Sequence, residues 1–235
     1  MGNEEGRTLV VRRVRRQAKE ILALDMTPEA AGVGGHGVGF VPGQVALLQA
    51  GDLRPSYFAF AGAPEDAELE FLVKRTQDPA AQAIYAMRAG DRVRLTGVVG
   101  RGFALDEHEG RDLVFVAMGT GVAPLRSALR HALRRQSEFG QIVVLYGART
   151  PEHFCYADEM EAWEDAGVEL RRVISRPDGH DWSGPTGYVQ SLLDHVLPDL
   201  KDPVALVCGS REMIEQTRAR LSEMGFAPEK ILTNY

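Results

Sequence analysis

The sequence predicts two domains of different class: an antiparallel six-stranded β-barrel over residues 1–105, then an α/β domain on a parallel sheet over residues 106–235. Three observations carry this. Up to residue 105 the chain runs in short segments of alternating apolar and polar side chains between Gly, Pro and Asp punctuation, as half-buried antiparallel strands do. Beyond it, near-continuous apolar runs take turns with helical stretches, as parallel strands covered on both faces do. Between the two lies an acidic, glycine-containing stretch, Asp106–Asp112, which marks the boundary. The 235 residues exceed the ~150 of an average domain and leave room for both.

In the first half the strands are Thr8–Val14, Ile21–Met26, Gln44–Gln49, Ser56–Ala61, Glu68–Lys74 and Asp91–Val98. Leu69, Phe71 and Val73 alternate with Glu68, Glu70 and Leu72, and Val93 and Leu95 alternate with Arg92 and Arg94. One helix interrupts them, Pro79–Met87, with Asp78 as its N-cap and Pro79 at its first position. Six short strands with one helix suggest a small closed barrel. The loop Ala31–Gly39, with five glycines, is the only biased segment, and there is no internal repeat.

In the second half the apolar runs are Leu113–Met118, Ile142–Gly147, Val168–Ser175, Val204–Cys208 and Ile231–Tyr235. Helices are expected over Pro124–Arg135, Tyr156–Asp165, Val189–Val196 and Arg211–Met224. Repeated βα units give a parallel sheet with helices on both sides, a nucleotide-binding architecture.

Composition narrows the classes. Hydrophobic residues make up 44% and charged residues 26%, ordinary globular values that exclude a disordered or fibrous chain. No apolar run approaches the ~20 residues needed to span a bilayer. Met1-Gly2-Asn3-Glu4-Glu5 lacks a signal peptide's basic and apolar regions, so a cytoplasmic protein without membrane association is expected. Cys155 and Cys208 cannot build a disulfide framework, a zinc site or a four-thiolate cluster. The six histidines are scattered without ligand spacing, so no metal site is expected. Residues 1–105 carry 13 basic and 12 acidic side chains, residues 106–235 carry 14 and 21, and the net charge is −6. This balance, without a recognisable module, argues against nucleic-acid binding. Arg12, Arg13, Arg15, Arg16 and Lys19 form a cluster that reads either as the solvated face of a strand or as a docking surface for an acidic protein partner.

The chemistry gathers at strand ends. Met118-Gly119-Thr120-Gly121-Val122-Ala123-Pro124 follows a buried strand and opens a helix, where backbone N–H groups and the helix dipole hold a phosphate. Pro124 stands where a third fingerprint glycine would be, and no Gly-Lys-Ser/Thr follows, so neither standard phosphate motif is present. Cys208-Gly209-Ser210, with Met213 behind it, ends another strand; Cys208 alone also reads as a small buried residue. Tyr146-Gly147-Ala148-Arg149 and Ser175-Arg176-Pro177 end two more. Four strand ends offering Gly, Ser, Arg or Cys to one crevice point to a dinucleotide. In the first half, Arg54-Pro55-Ser56-Tyr57 offers a cation for a pyrophosphate and an aromatic for a flat ring, or else a rim arginine and a core aromatic.

The ordered set resembles the ferredoxin–NADP reductase superfamily. It comprises Phe40-x-Pro42-Gly43-Gln44, Arg54-Pro55-Ser56-Tyr57, Gly90-Asp91, Gly97-x-x-Gly100-x-Gly102-Phe103, Gly119-Thr120-Gly121-Val122-Ala123-Pro124, Tyr146-Gly147-Ala148-Arg149, Gly184-x-x-Gly187-Tyr188-Val189 and Cys208-Gly209-Ser210, and covers almost the whole chain. The resemblance implies a barrel that binds FAD and a parallel domain that binds NADPH or NADH. Hydride would pass from nicotinamide to flavin and electrons onward to a protein or small-molecule acceptor. It implies Arg54 at the FAD pyrophosphate, with Pro55, Ser56 and Tyr57 beside the flavin ring. Gly119, Thr120, Gly121, Val122 and Pro124 would lie at the NAD(P) pyrophosphate, Cys208 and Gly209 near the nicotinamide, and Met213 behind them. Tyr235 matches the C-terminal aromatic that covers the flavin in some relatives. Ser175, Arg176 and Arg149 lie where relatives that take NADPH hold its 2′-phosphate, a slight preference for NADPH over NADH.

Two departures from the family pattern stand out. The family order Arg-x-Tyr-Ser is here Arg54-Pro55-Ser56-Tyr57, and neighbours on a strand face opposite ways. Either Tyr57 reaches the ring, or Ser56 faces it and Tyr57 packs the core. The second flavin segment reads Thr76-Gln77-Asp78-Pro79-Ala80, which sets a carboxylate where a pyrophosphate is expected. Two rival readings follow: an electron-transfer or regulatory subunit of a larger redox complex, and a nucleotide-binding module that has lost FAD. Relatives of the subunit kind often carry a cysteine-rich segment after the last strand, and with only two cysteines the self-sufficient enzyme is expected.

Overall fold

A computed structural model describes residues 6–29 and 37–234. Most of loop Ala31–Gly39, and Tyr235, lie outside the described residues. The first half folds as strands β1 (Arg7–Ala18), β2 (Ile21–Pro28), β3 (Val45–Gln49), β4 (Ser56–Ala59), β5 (Leu69–Lys74) and β6 (Arg92–Val99), with helix α1 (Pro79–Tyr85) between the last two. The six strands form one antiparallel sheet in the order β4-β3-β6-β1-β2-β5. Its edges meet where Phe60 bridges Phe71 and the Ala61 N–H donates to the Glu70 carbonyl at 2.8 Å, so the sheet curls into the expected barrel. Leu9, Leu24, Met26, Leu48, Phe60, Phe71 and Ile84 fill its interior. Asp78 caps α1 as the sequence predicts, accepting from the Ala81 N–H at 3.3 Å, with Pro79 following.

Two boundaries in this half differ from expectation. β1 continues through the arginine run to Ala18, because register shifts at Val11/Arg13 and Arg16/Ala18 break the alternation by which a strand is read. β4 ends at Ala59, with Phe60 contributing only the closing bridge.

The second half contains β7 (Leu113–Met118), α2 (Val122–Arg134), β8 (Ile142–Ala148), α3 (Met160–Asp165), β9 (Glu169–Ile174), α4 (Leu193–Val196), β10 (Val204–Cys208), α5 (Arg211–Glu223) and β11 (Ile231–Thr233). Its five strands form a parallel sheet in the order β11-β10-β7-β8-β9. The chain builds outward from β7 on one side and then returns to the other, so the topological switch lies between β7 and β10. The helix expected from Tyr156 starts only at Met160: Tyr156 adopts a left-handed φ of 58°, and residues 157–159 form a tight 3₁₀ turn. Of Val189–Val196, the first four residues are 3₁₀ and only the last four α-helical. No helix among the described residues is long and apolar enough to cross a membrane.

One hydrophobic core spans both sheets. Ala18, Ile21, Ala61, Leu72 and Phe103 from the barrel side pack with Phe115, Val122, Leu125 and Tyr146. Beside it, the buried Arg126 of α2 donates to the Ala61 carbonyl at 2.7 Å, to Glu70 of β5 at 3.0 Å and to Glu159 Oε2 at 2.7 Å. Its guanidinium also lies 4.2 Å from the centre of the Tyr156 ring. Glu70 in turn meets Arg15, which meets Asp25. A buried cation is tolerable only when so fully paired.

Candidate functional site

The crevice at the switch point is built by backbone. After β7 the chain turns through Gly119, whose φ of +56° suits glycine. A β-carbon there would meet nothing within 4 Å, so the space above the turn is open. Gly121 is the opposite case: a β-carbon would lie 2.6 Å from the Cys208 carbonyl carbon and 2.8 Å from the Gly209 nitrogen. Only glycine lets the β7 and β10 loops close on each other. From below, the Tyr146 hydroxyl donates to the Gly119 carbonyl at 3.1 Å and accepts from the Cys155 N–H at 3.0 Å. Burial holds this phenol well above its ordinary pKa, so it stays a donor.

The two helix starts at this crevice differ electrostatically. α5 is closed off: Ser210 Oγ accepts from the Met213 N–H at 3.2 Å and Glu212 stands in the first turn. α2 has neither a side-chain cap nor an acidic residue in its first turn. The positive end facing the crevice is therefore that of α2, beside open Gly119. Val122 and Pro124 are buried, and Pro124 has no N–H to donate, so Gly119, Thr120 and Gly121 form the accessible rim. The half-buried Cys208 thiol is pushed up to about 12 by burial, against the Gly209 N–H, and is protonated at neutral pH. Met213 is buried behind it.

At the far side of the crevice, beyond β8 and β9, the Arg176 N–H donates to the Arg149 carbonyl at 2.9 Å and the Ser175 N–H to the Ala148 carbonyl at 3.0 Å. Arg149, Ser175 and Arg176 are all exposed there, and neither arginine has an ion pair among the described residues. Tyr188, 68% exposed, joins this group, because the Gly187 N–H donates to the Ile174 carbonyl next to Ser175. Its position after Gly184-Pro185-Thr186-Gly187 was the available signal, and sequence reasoning assigned it no role.

The barrel presents a flat apolar surface. Tyr57, Leu47 and Gly97 stand opposite one another across β4, β3 and β6, and Ala59, Val45 and Val99 form the next row. Their neighbours Ser56, Phe58, Ala46 and Leu48 are buried. Leu47 lies against Gly97, whose missing side chain keeps the surface level. Tyr57 is 69% exposed, so the reading in which it packs the core is corrected: strand alternation sends Ser56 inward and Tyr57 out.

At one end of this surface, beyond half-buried Pro55, exposed Arg54 donates to Asp78 at 2.8 Å, and Ser56 Oγ lies 3.4 Å from the same carboxylate. At the other end, the backbone oxygen of Asn234 lies against Gly100, where a β-carbon would come within 2.8 Å of it, and Asn234 Nδ2 donates to the Gly43 carbonyl at 3.2 Å. Asn234 follows β11, whose Thr233 pairs with Val207 just before Cys208. The parallel-sheet crevice and the barrel surface therefore meet at this residue. Tyr235, expected as the flavin cover, lies outside the described residues.

Two members of the arginine cluster, Arg13 and Arg15, are ion-paired within the fold. Arg12 donates to Thr27 at 2.7 Å, Arg13 pairs with Asp25 at 2.6 Å, and Arg15 pairs with Asp25 and Glu70.

The family model for the oxidoreductase NAD-binding domain matches residues 115–219. The chain is 31% identical over 189 residues to a fruit protein, pKIWI502, of Actinidia deliciosa, covering 76% of this chain but only 59% of that protein's length. It is 31% identical over 183 residues to ferredoxin–NADP reductase B of Sorangium cellulosum, covering 74% of each. Among solved structures it superposes on a ferredoxin–NADP+ reductase from Neisseria gonorrhoeae with bound FAD and NADP, at a TM-score of 0.83 and 19% identity, covering 98% of each chain.

Proposed function

Because the chain belongs to the ferredoxin–NADP reductase family of flavin- and nicotinamide-dependent oxidoreductases, we propose that it takes hydride from NAD(P)H onto a flavin ring lying on the barrel surface and passes electrons to an acceptor. The observation that carries this is the meeting, at Asn234, of a flat apolar surface with a glycine-lined, dipole-bearing crevice. The surface suits a planar ring system and the crevice suits a nucleotide pyrophosphate, and their contact brings ring and nicotinamide together. We assign the flavin to residues 1–105 and the coenzyme to residues 106–235.

A bound flavin supplies the redox chemistry, and the chain supplies position and exclusion of water. Tyr57, Leu47 and Val99 form the platform. Gly119, Thr120 and Gly121, with the start of α2, hold the coenzyme's phosphates. Cys208, neutral at physiological pH, borders the nicotinamide without adding charge there, and Met213 backs Gly209. Hydride transfer needs no acid–base side chain. Arg149 and Arg176, free of ion pairs among the described residues and beside Ser175, favour NADPH over NADH, with Tyr188 as a platform for the adenine.

The acceptor is a protein or small molecule. With Arg13 and Arg15 given to Asp25 and Glu70, exposed Arg12, Arg16 and Lys19 remain without an ion pair among the described residues, a smaller basic patch than the sequence suggests for an acidic carrier.

The test is the anaerobic visible absorbance of the protein, supplied with flavin, before and after NADPH and then NADH. Bleaching by NADPH ahead of NADH is expected. Failure to bind any flavin sinks the reading, and a flavin that neither coenzyme bleaches favours a subunit active only within a larger complex.

A further inference from the structure

We propose that this chain holds its flavin through the ring and ribityl chain alone, as a dissociable ligand that gains no affinity from the adenylate half of a dinucleotide. The proposal rests on the flavin reading above. Its ground is a single juxtaposition. Where the chain enters β4 the order is Arg54, Ser56, Tyr57, so the groups placed to receive an anion stand at one end of the platform. Those groups are already given to an anion of the chain itself: Asp78 accepts from Arg54 at 2.8 Å and lies within reach of Ser56 Oγ at 3.4 Å.

Charge decides the outcome. Arg54 and Asp78 sum to zero, so a dianionic pyrophosphate meets no net attraction there. To recruit Arg54 it must displace Asp78, and Asp78 is tethered. Its carboxylate also caps α1 through the Ala81 N–H, and its own N–H donates to Thr76 Oγ1 at 3.3 Å. A displaced Asp78 would stay beside the phosphates and repel them. The cation nearest to Asp78 in sequence, Arg75, lies 3.9 Å from Glu20 instead. The ring surface carries no such obstacle, since Tyr57 is exposed and Leu47, Gly97 and Val99 are neutral.

The experiment titrates the full chain with riboflavin, riboflavin 5′-phosphate and FAD, following flavin fluorescence, and repeats the series with Asp78→Ser. Serine keeps the helix cap, so the variant retains its fold, which the circular dichroism spectrum checks. The wild-type chain is expected to bind FAD no more than about threefold tighter than riboflavin. Asp78→Ser is expected to tighten FAD at least about tenfold, with riboflavin changed less than twofold, because Arg54 is then free for a charge-assisted contact. A wild-type chain that purifies with tightly held FAD, or prefers FAD over riboflavin by more than about tenfold, overturns the proposal and leaves the reductase reading intact. So does an Asp78→Ser variant in which FAD does not tighten. If neither chain binds any flavin, both the proposal and the reading beneath it fail.

Discussion

Gly121 and Cys208 lie on different strand ends yet touch through their backbones, so closely that a β-carbon on Gly121 would stand 2.6 Å from the Cys208 carbonyl carbon. Gly121→Ala must therefore push the β7 and β10 loops apart. We expect NAD(P)H affinity to fall at least about tenfold, and stability to fall by ~1–3 kcal/mol from overpacking. Isothermal titration and urea unfolding read the two effects, and unchanged coenzyme affinity would remove this contact from the site.

Tyr57 gives a contrasting expectation. At 69% exposure its ring contributes little to the core, so Tyr57→Ala should change stability by no more than ~0.5 kcal/mol. If the ring is the flavin platform, the same variant loses flavin affinity by about tenfold, the scale of one aromatic stacking contact. Thermal unfolding and flavin titration on one preparation separate the two.

These side chains show where the sequence speaks and where it does not. Strand alternation set Ser56 and Tyr57 on opposite faces, and Asp78-Pro79 announced the start of α1; both are local signals. The Arg54–Asp78 pair joins residues 24 positions apart, and no pattern in either neighbourhood foretells it. Arg126 sits on a helix otherwise rich in surface arginines, and only the docking of α2 against Ala61 and Glu70 makes it a buried residue. Bulges hid the full length of β1, since each shifts the alternation by one. The left-handed Tyr156 delayed α3 for a similar reason: burial against Arg126, not local propensity, fixes that residue.

Arg126→Met should be among the most damaging substitutions. It leaves Glu70 and Glu159 without their shared partner at a buried junction, which typically costs ~3–5 kcal/mol. Combining it with Glu70→Gln should recover part of the loss. Urea midpoints of the single and double variants provide the check, and a loss below ~1 kcal/mol would show that the network contributes little.

Acid should loosen the same junction. Burial pushes the Asp66 carboxyl up, but hydrogen bonds from Arg130 and Arg134 of α2 and from the Ala63 N–H outweigh it and hold the group below the usual carboxylate range. Asp25 behaves alike under Arg15 and Arg13. A depressed folded-state pKa gives stability that is present above the unfolded value of ~3.9 and is lost as pH falls through the folded value. Melting temperature should accordingly decline below about pH 4, and Asp66→Asn should be less stable at neutral pH but show a shallower acid decline. Parallel pH–melting profiles of the two proteins decide it.

Cys208 should be chemically quiet. With its thiol pushed up to about 12, it carries almost no thiolate at neutral pH, and alkylation by iodoacetamide should be far slower than for a free cysteine. Mass spectrometry of timed samples tests this, and rapid modification would mean that the sulfur is more open than its burial implies.

The shared core has one more consequence, for cooperativity. Ala18, Ile21, Leu72 and Phe103 share one buried cluster with Phe115, Val122 and Tyr146, so each sheet, besides its own interior, covers an apolar face of the other half. Melting should pass through a single transition, with calorimetric and van't Hoff enthalpies in agreement. Severing the chain near residue 106 should release two fragments that each expose an apolar wall, and they should recover solubility only when mixed.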